Sequence, residues 1–377
     1  MNPQPSGRAW LLDVLKAVGC VLIVLHHLAF YGPMADVVMQ AWPGLIDWLF
    51  DRARLAVQMF LVCGGFLTAA SLSKITQLDL HTSGVLLWRR YLRLALPLLA
   101  ALSAVVVVSE IIRPQFDHPS LSALPHWTQA WAHVALLQHV LDMEALSAGV
   151  WYVAMDFQLY ASALLVLALA QRLSAWWPTD SPGSWGQGIW LMLVVASLWW
   201  WSGDDRLDDY AVYFYGAYGL GWLAYQHRAV GLSRQTWRLL LLVAVVAFWL
   251  DPRWRLVTAL AVAILLATAP ATCLSSQDVK FPGARAIQWL SRISYSVFVI
   301  HFSVSLAVNA CVTQFWPGQL WPNGWGMLAA LGLSLCAGAA LYKWVEQPRP
   351  SLQRWAAWVV VFMASVALAM KINGLSG

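Results

Sequence analysis

Nearly the whole chain is a succession of apolar runs divided by short charged or Pro/Gly-rich stretches. In order they are 10–30, 55–73, 92–112, 150–172, 189–201, 210–225, 237–250, 256–273, 293–315, 327–345 and 355–370. A bilayer core takes roughly 17 to 25 apolar residues per helical crossing, and in hydrocarbon every backbone N–H and C=O must find its partner inside the protein. The pattern therefore predicts an all-α fold: a polytopic integral membrane helical bundle of about ten or eleven transmembrane helices. The runs at 189–201 and 237–250 are short for a crossing, and 127–140 reads as an interfacial helix.

Composition agrees. Of 377 residues, 60% are hydrophobic and only 11% charged, which excludes a soluble globular protein. The net charge of +5 is that of loop lysines and arginines rather than a nucleic-acid footprint, so no nucleic-acid partner is expected. The 25 tryptophans and 11 tyrosines suit interfacial belts at headgroup level. The five cysteines (Cys20, Cys63, Cys273, Cys311, Cys336) have neither CxxC pairing nor His neighbours at ligand spacing. They are read as small core residues, and no metal site is expected. The first run is too long for a signal-peptide core, lacks an A-x-A cleavage site and carries charges, so it should remain as a helix.

If the N-terminus is cytoplasmic, the basic loops around Lys74, Arg89, Arg228, Lys280 and Arg349 all fall inside, while the loops holding Asp117, Asp142, Asp204 and Asp251 fall outside. The expectation is a multi-pass protein of the plasma membrane, of the bacterial inner-membrane type.

Residues 8–30, RAWLLDVLKAVGCVLIVLHHLAF, carry four ionisable groups within bilayer reach: Asp13, Lys16, His26 and His27. A charge at bilayer depth costs about 2.5 to 3.5 kcal/mol on insertion scales, so such groups face a protein interior or a wet cavity and mark functional paths. At about 100° per residue, Lys16 and His27 fall within roughly 20° of one another and about 16 Å apart along the axis. Asp13 and Cys20 lie near the same line, whereas His26 points about 100° away. The polar stripe thus selects His27 as the reactive group. Against this stand an interfacial histidine and a lysine that snorkels to the headgroups.

A basic residue, ten positions and a histidine in the first membrane helix resembles the motif of the membrane acyltransferase-3 family. Further stretches resemble that family in order along the chain. QMFLVCGGFLT, residues 58–68, is similar to its F-F-x-x-S-G-F segment with Gly64 in place of serine; the alternative is that the glycines let helices approach closely. WRRYLRLALP, residues 88–97, resembles its R-x-x-R motif. Arginines bind phosphate bidentately, so Arg90 and Arg93 are expected to hold the phosphates of coenzyme A; inner-leaflet anchoring is the competing role. GVWYVAMDFQLY, residues 149–160, matches W-x-x-x-x-E with Asp156 for glutamate and a shifted glutamine, Gln158. A buried Asp156 needs a partner: His27, Lys16 or an arginine. ISYSVFVIHFSV, residues 293–304, is similar to S-Y-x-x-Y-x-x-H with Phe298 for the second tyrosine, so Ser294, Tyr295 and His301 are cavity-lining candidates. YKWVEQP, residues 342–348, resembles the terminal Y-x-x-[IV]-E-x-P, with Glu346 expected to tie to an arginine.

The resemblance implies an acyltransferase-3 membrane domain over 1–350, an additional hydrophobic helix over 351–377 and no appended soluble domain. It implies O-acyl transfer, typically of acetyl, from acyl-CoA to a hydroxyl of a cell-surface carbohydrate or glycolipid. Acyl-CoA is the donor substrate and no bound cofactor is expected. His27, Lys16 and Asp156 are the expected catalytic set, and Arg90, Arg93, Tyr295 and His301 the substrate-binding set. His27 could act as base or relay the acyl group, and Lys16, Arg90 or backbone donors could stabilise the oxyanion. The rival is a secondary transporter or flippase of a small anionic or sugar-linked substrate, for which internal repeats and paired broken helices are the missing signs.

Overall fold

The computed structural model describes residues 9–178, 184–231, 234–274 and 282–374. Arg8 and Lys280 lie outside the described residues. About 80% of the structure is helical and the described residues contain no strand. The helices are α1 (Trp10–Phe30), α2 (Pro33–Met39), α3 (Pro43–Asp51), α4 (Ala56–Leu72), α5 (Leu80–Ile112), α6 (Trp127–Val134), α7 (Val150–Trp176), α8 (Ser184–Trp199), α9 (Ala211–Val230), α10 (Arg234–Leu250), α11 (Trp254–Thr268), α12 (Ala271–Leu274), α13 (Ala284–Phe315), α14 (Leu320–Leu341) and α15 (Leu352–Ile372). Every apolar run became helical, the run 256–273 as two helices parted at Ala269–Pro270. Among the described residues, seven helical stretches are long and apolar enough to cross a membrane: α1, Pro43–Leu72, α5, α7, α13, Leu320–Glu346 and α15. Four of the eleven runs are not among the seven: α8, α10 and α11 have only 16, 17 and 15 residues, and α9, at 20 residues, is diluted by tyrosines, glycines and its Gln226-His227-Arg228 end. A single crossing at 1.5 Å rise takes about 20.

The chain forms two compact units, each assembled from separate segments. The first comprises residues 1–16, 57–88 and 155–288. Its α4 and α9 meet at reciprocal glycines: a Cβ on Gly65 would stand 1.9 Å from the Tyr218 carbonyl oxygen, and one on Gly221 2.0 Å from that of Val62. Only glycine permits this approach, the arrangement that small residues provide between membrane helices. Behind the crossing, the fully buried Trp190 of α8 stacks on Trp222 of α9 at 5.2 Å. Gln158 of α7 accepts from the Ala211 N–H and so caps α9.

The second unit comprises residues 17–56, 89–154 and 289–377. Here α1 and α13 run side by side in the same direction, with Cys20 Sγ to Ser294 O, His27 to His301 and the Met34 N–H to Asn309 Oδ1 at sequence separations of 274, 274 and 275. α5 and α15 are parallel in the same way, tied by Tyr91 to Trp355 at one end and Glu110 to Asn373 at the other. Val105 and Ile112 of α5 and Phe302, Leu306 and Ala310 of α13 form a buried apolar cluster with Phe116. After α14 the helix widens into one π turn, Tyr342–Glu346. Glu346 accepts from Ser296 Oγ at 2.6 Å, and the guanidinium of Arg354 donates to the carbonyls of Trp344, Val345 and Pro348. Arg354 thus caps carbonyls that a helix C-terminus leaves open.

Between α5 and α7 the chain forms a hydrogen-bonded module around α6, shorter than the 127–140 helix read from sequence. His126 and Gln129 make a capping box, Gln129 Nε2 donates to Glu144 O, and Gln138 Nε2 to Val150 O. His133, fully buried, donates from Nδ1 to Gln129 O at 2.8 Å and accepts the Leu146 N–H on Nε2 at 3.1 Å. Burial holds its pKa down at about 4. Of the cysteines, Cys20 and Cys63 are buried as expected, whereas Cys311 and Cys336 are exposed on the outer faces of α13 and α14.

Candidate active site

The second unit brings His27 and His301 together. α1 is continuous from Trp10 to Phe30, so adjacent histidines on it point apart, and each has found a different partner. His26 Nδ1 donates to Leu49 O in α3 at 3.2 Å. His27 Nδ1 lies 2.7 Å from His301 Nε2, and His301 Nδ1 lies 2.7 Å from Phe298 O one turn earlier on α13. The imidazole planes are within 9° of parallel and the centroids 4.9 Å apart. That separation exceeds the N–N distance by two ring radii, so the rings meet through their edges, as an in-plane N–H to lone-pair bond requires. His301 has no exposed surface and His27 is 7% exposed.

The turn beyond α1 closes over the pair. The Tyr31 ring stands edge-on to His27 at 5.6 Å and against Phe302 at 5.2 Å. Asn309, buried in α13, accepts the Met34 N–H and donates to Ser305 O. Gly32 sits at φ +103°, with Asn309 filling the space a Cβ would need, so both the backbone conformation and the packing demand glycine. Sequence reading passed over Asn309 and Tyr31; the signal was there for Asn309, an amide in an otherwise apolar span.

The remaining expected residues fall in two places. Arg90, Arg93 and Tyr295 belong to the same unit as the histidine pair. Arg90 is half-buried and Arg93 exposed on α5, beside Pro97, whose missing N–H loosens that turn. Tyr295 Oη donates to Leu94 O at 2.6 Å, fixing α13 against α5 next to Arg93. His301 lies about 9 Å further along α13 by helical rise. Lys16 and Asp156 belong to the other unit. Lys16 is half-buried on α1, about 16 Å of helix from His27. Asp156 is 7% exposed on α7. A Cβ at Gly64 would stand 3.8 Å from its Oδ1 and 3.5 Å from Tyr218 Cε2, ordinary contacts that leave room for that atom. Two departures from the family pattern, glycine for serine and aspartate for glutamate, are thus neighbours, and both remove atoms from the same spot. The third, Phe298, packs its ring on Gly149 and on the edge of Tyr152 at 5.4 Å while its carbonyl holds His301.

A histidine pair of this geometry can take a proton from a hydroxyl and return it to a leaving group, which is the work acyl transfer needs. The family model described as an acyltransferase domain matches residues 10–373, from the start of α1 through the end of α15. The chain belongs to the membrane acyltransferase-3 family. It is an acyltransferase with several membrane-spanning helices, which decides against the transporter reading. No curated protein and no solved structure matches this acyltransferase.

Proposed function

We propose that the acyltransferase moves an acyl group, acetyl first among the candidates, from acyl-CoA to a hydroxyl of a cell-surface carbohydrate or glycolipid, with His27 as general base. The observation that carries this reading is the buried contact of His27 with His301, His27 being the residue on which the first helix resembles the family's motif. The acceptor oxygen attacks the thioester carbonyl as His27 takes its proton. Collapse of the tetrahedral intermediate then expels the CoA thiolate, which recovers that proton from the imidazolium. Arg90 and Arg93 hold the donor phosphates, and Tyr295 sets their level relative to the histidines. Lys16 guides the donor rather than touching the reacting atoms, since about 16 Å of helix separates it from His27. Asp156 organises the neighbourhood of Gly64. His301 takes a different role from the substrate contact expected of it, because both its ring nitrogens are already engaged.

This arrangement implies a cytoplasmic N-terminus in the plasma membrane, so that the arginine end of α5 meets cytoplasmic acyl-CoA. Thiol release from acetyl-CoA by purified protein in detergent, with and without glycan acceptors, tests the reading. Acceptor-dependent release that His27→Ala abolishes supports it, and full activity in His27→Ala overturns it. Labelling of the Asp204 loop only from the cytoplasm would overturn the orientation.

A further inference from the structure

His301 and Phe298 decide which atom of His27 does the chemistry. A carbonyl oxygen can only accept, so the 2.7 Å contact with Phe298 O requires the hydrogen on His301 Nδ1. A neutral imidazole has one N–H, which leaves His301 Nε2 as a lone pair. His27 Nδ1, 2.7 Å away in the plane of that ring, must then be the donor. The opposite polarity would set the lone pair of His301 Nδ1 against the lone pairs of Phe298 O at 2.7 Å.

We infer that His301 is a positioning residue that locks His27 in the Nδ1–H tautomer, making Nε2 the basic atom, and that the pair shares the proton taken from the acceptor hydroxyl. This rests on the proposed role of His27 as base. When His27 Nε2 gains that proton, the N–H bond to the acceptor oxygen's former hydrogen forms and the O–H bond breaks. His27 Nδ1–H then points at the His301 lone pair, and the charge spreads over two rings, the second held by the Phe298 carbonyl.

Among the described residues neither ring bonds a carboxylate; the two rings bond each other, and His301 meets the backbone of Phe298, with that of Val297 beside it. The titratable groups within ring contact are His26, at 5.2 Å, and Tyr31, at 5.6 Å. An orienting carboxylate would bring a second charge into a site where burying an unpaired charge is expensive. A neutral imidazole tied to a peptide carbonyl orients the base without one. Position supports the same role. Both histidines sit on helices clamped in one register from Cys20–Ser294 to Met34–Asn309, so the donor–acceptor line is set by two rigid elements rather than a loop.

The test compares His301→Leu with His301→Gln in the full-length protein. Leucine removes the acceptor and should lower kcat by about 10²- to 10⁴-fold, with KM for acetyl-CoA changed by no more than about threefold. Glutamine restores a carbonyl acceptor for His27 Nδ1–H and should recover at least about tenfold of that loss. A packing role would rank the variants by shape and leave the tautomer of His27 unchanged. ¹⁵N NMR of histidine-labelled wild-type protein in nanodiscs reads the tautomer directly and needs no substrate: His27 as Nδ1–H supports the inference, and His27 as Nε2–H overturns it. Equal activity of the leucine and glutamine variants also overturns it. If His301→Leu does not accumulate, the glutamine variant and the wild-type spectrum decide. Loss of acyl transfer as the function would show in the His27→Ala assay and would leave the tautomer measurement standing.

Discussion

His133 and His301 use the same local device to different ends. Each donates from Nδ1 to a carbonyl of its own helix, Gln129 O in one case and Phe298 O in the other, and each is fully buried. They differ in what meets Nε2. For His133 it is the backbone N–H of Leu146, which ends the chain of bonds in a group that cannot react. For His301 it is His27, whose far nitrogen lies beyond the bond and is the atom we propose as the base. The two buried histidines therefore differ in whether the second partner closes the network or extends it, and the proposed function lies with the one that extends it.

The largest effect should come from the open end of that comparison. His27→Ala should remove about two to four orders of magnitude from kcat while leaving acetyl-CoA affinity nearly intact, because the proposed base is lost and the proposed donor contacts are not. Steady-state kinetics with a separate binding measurement checks both halves. A fall in affinity with kcat preserved would place His27 in binding instead.

The closed end should respond in stability. His133 is held at about pKa 4 against an ordinary 6.5, so below pH 6.5 the unfolded segment takes up a proton that the folded one refuses. The module around α6 should be fully stable above pH 6.5 and lose about 3 kcal/mol of local stability as the pH falls to 4. Hydrogen exchange at the Leu146 amide, corrected for intrinsic rates, reads this. Protection independent of pH across that window would break the contrast, as would His133→Gln matching His27→Ala in lost kcat.

Arg90→Ala and Arg93→Ala should each weaken donor binding about 10- to 150-fold, with lysine restoring part, since a point charge replaces a bidentate fork. Isothermal titration with CoA separates this from the unchanged chemistry expected at the histidines. The neighbouring glycines sharpen the same lesson. Gly65→Ala should destabilise by about 1 to 3 kcal/mol or more, because its Cβ would enter the Tyr218 backbone. Gly64→Ser should be tolerated in a thermal shift assay. His26→Ala should have the mildest effect on kinetics of the histidine and arginine changes. It costs one hydrogen bond to Leu49 O, about 0.5 to 1.5 kcal/mol, and a severe kinetic defect there would refute the division of labour on α1.

Much of this molecule could be read from the chain alone, for a physical reason. Hydrocarbon leaves a backbone no partner but itself, so apolar runs had to become helices, and their positions followed from composition. The helical repeat then separated His26 from His27 without any structure. The repeat could not say which residue His27 would meet, because a partner 274 positions away is chosen by how α1 and α13 pack. Nor could it say which ring nitrogen is basic, since that depends on where the carbonyl of Phe298 points. Gly64 and Gly65 look alike in sequence, yet only Gly65 meets the backbone of α9, whereas Gly64 faces a tyrosine side chain at ordinary contact distance. Local backbone chemistry is written in residue order, whereas the direction of a lone pair and the closeness of two helices exist only after the chain has packed.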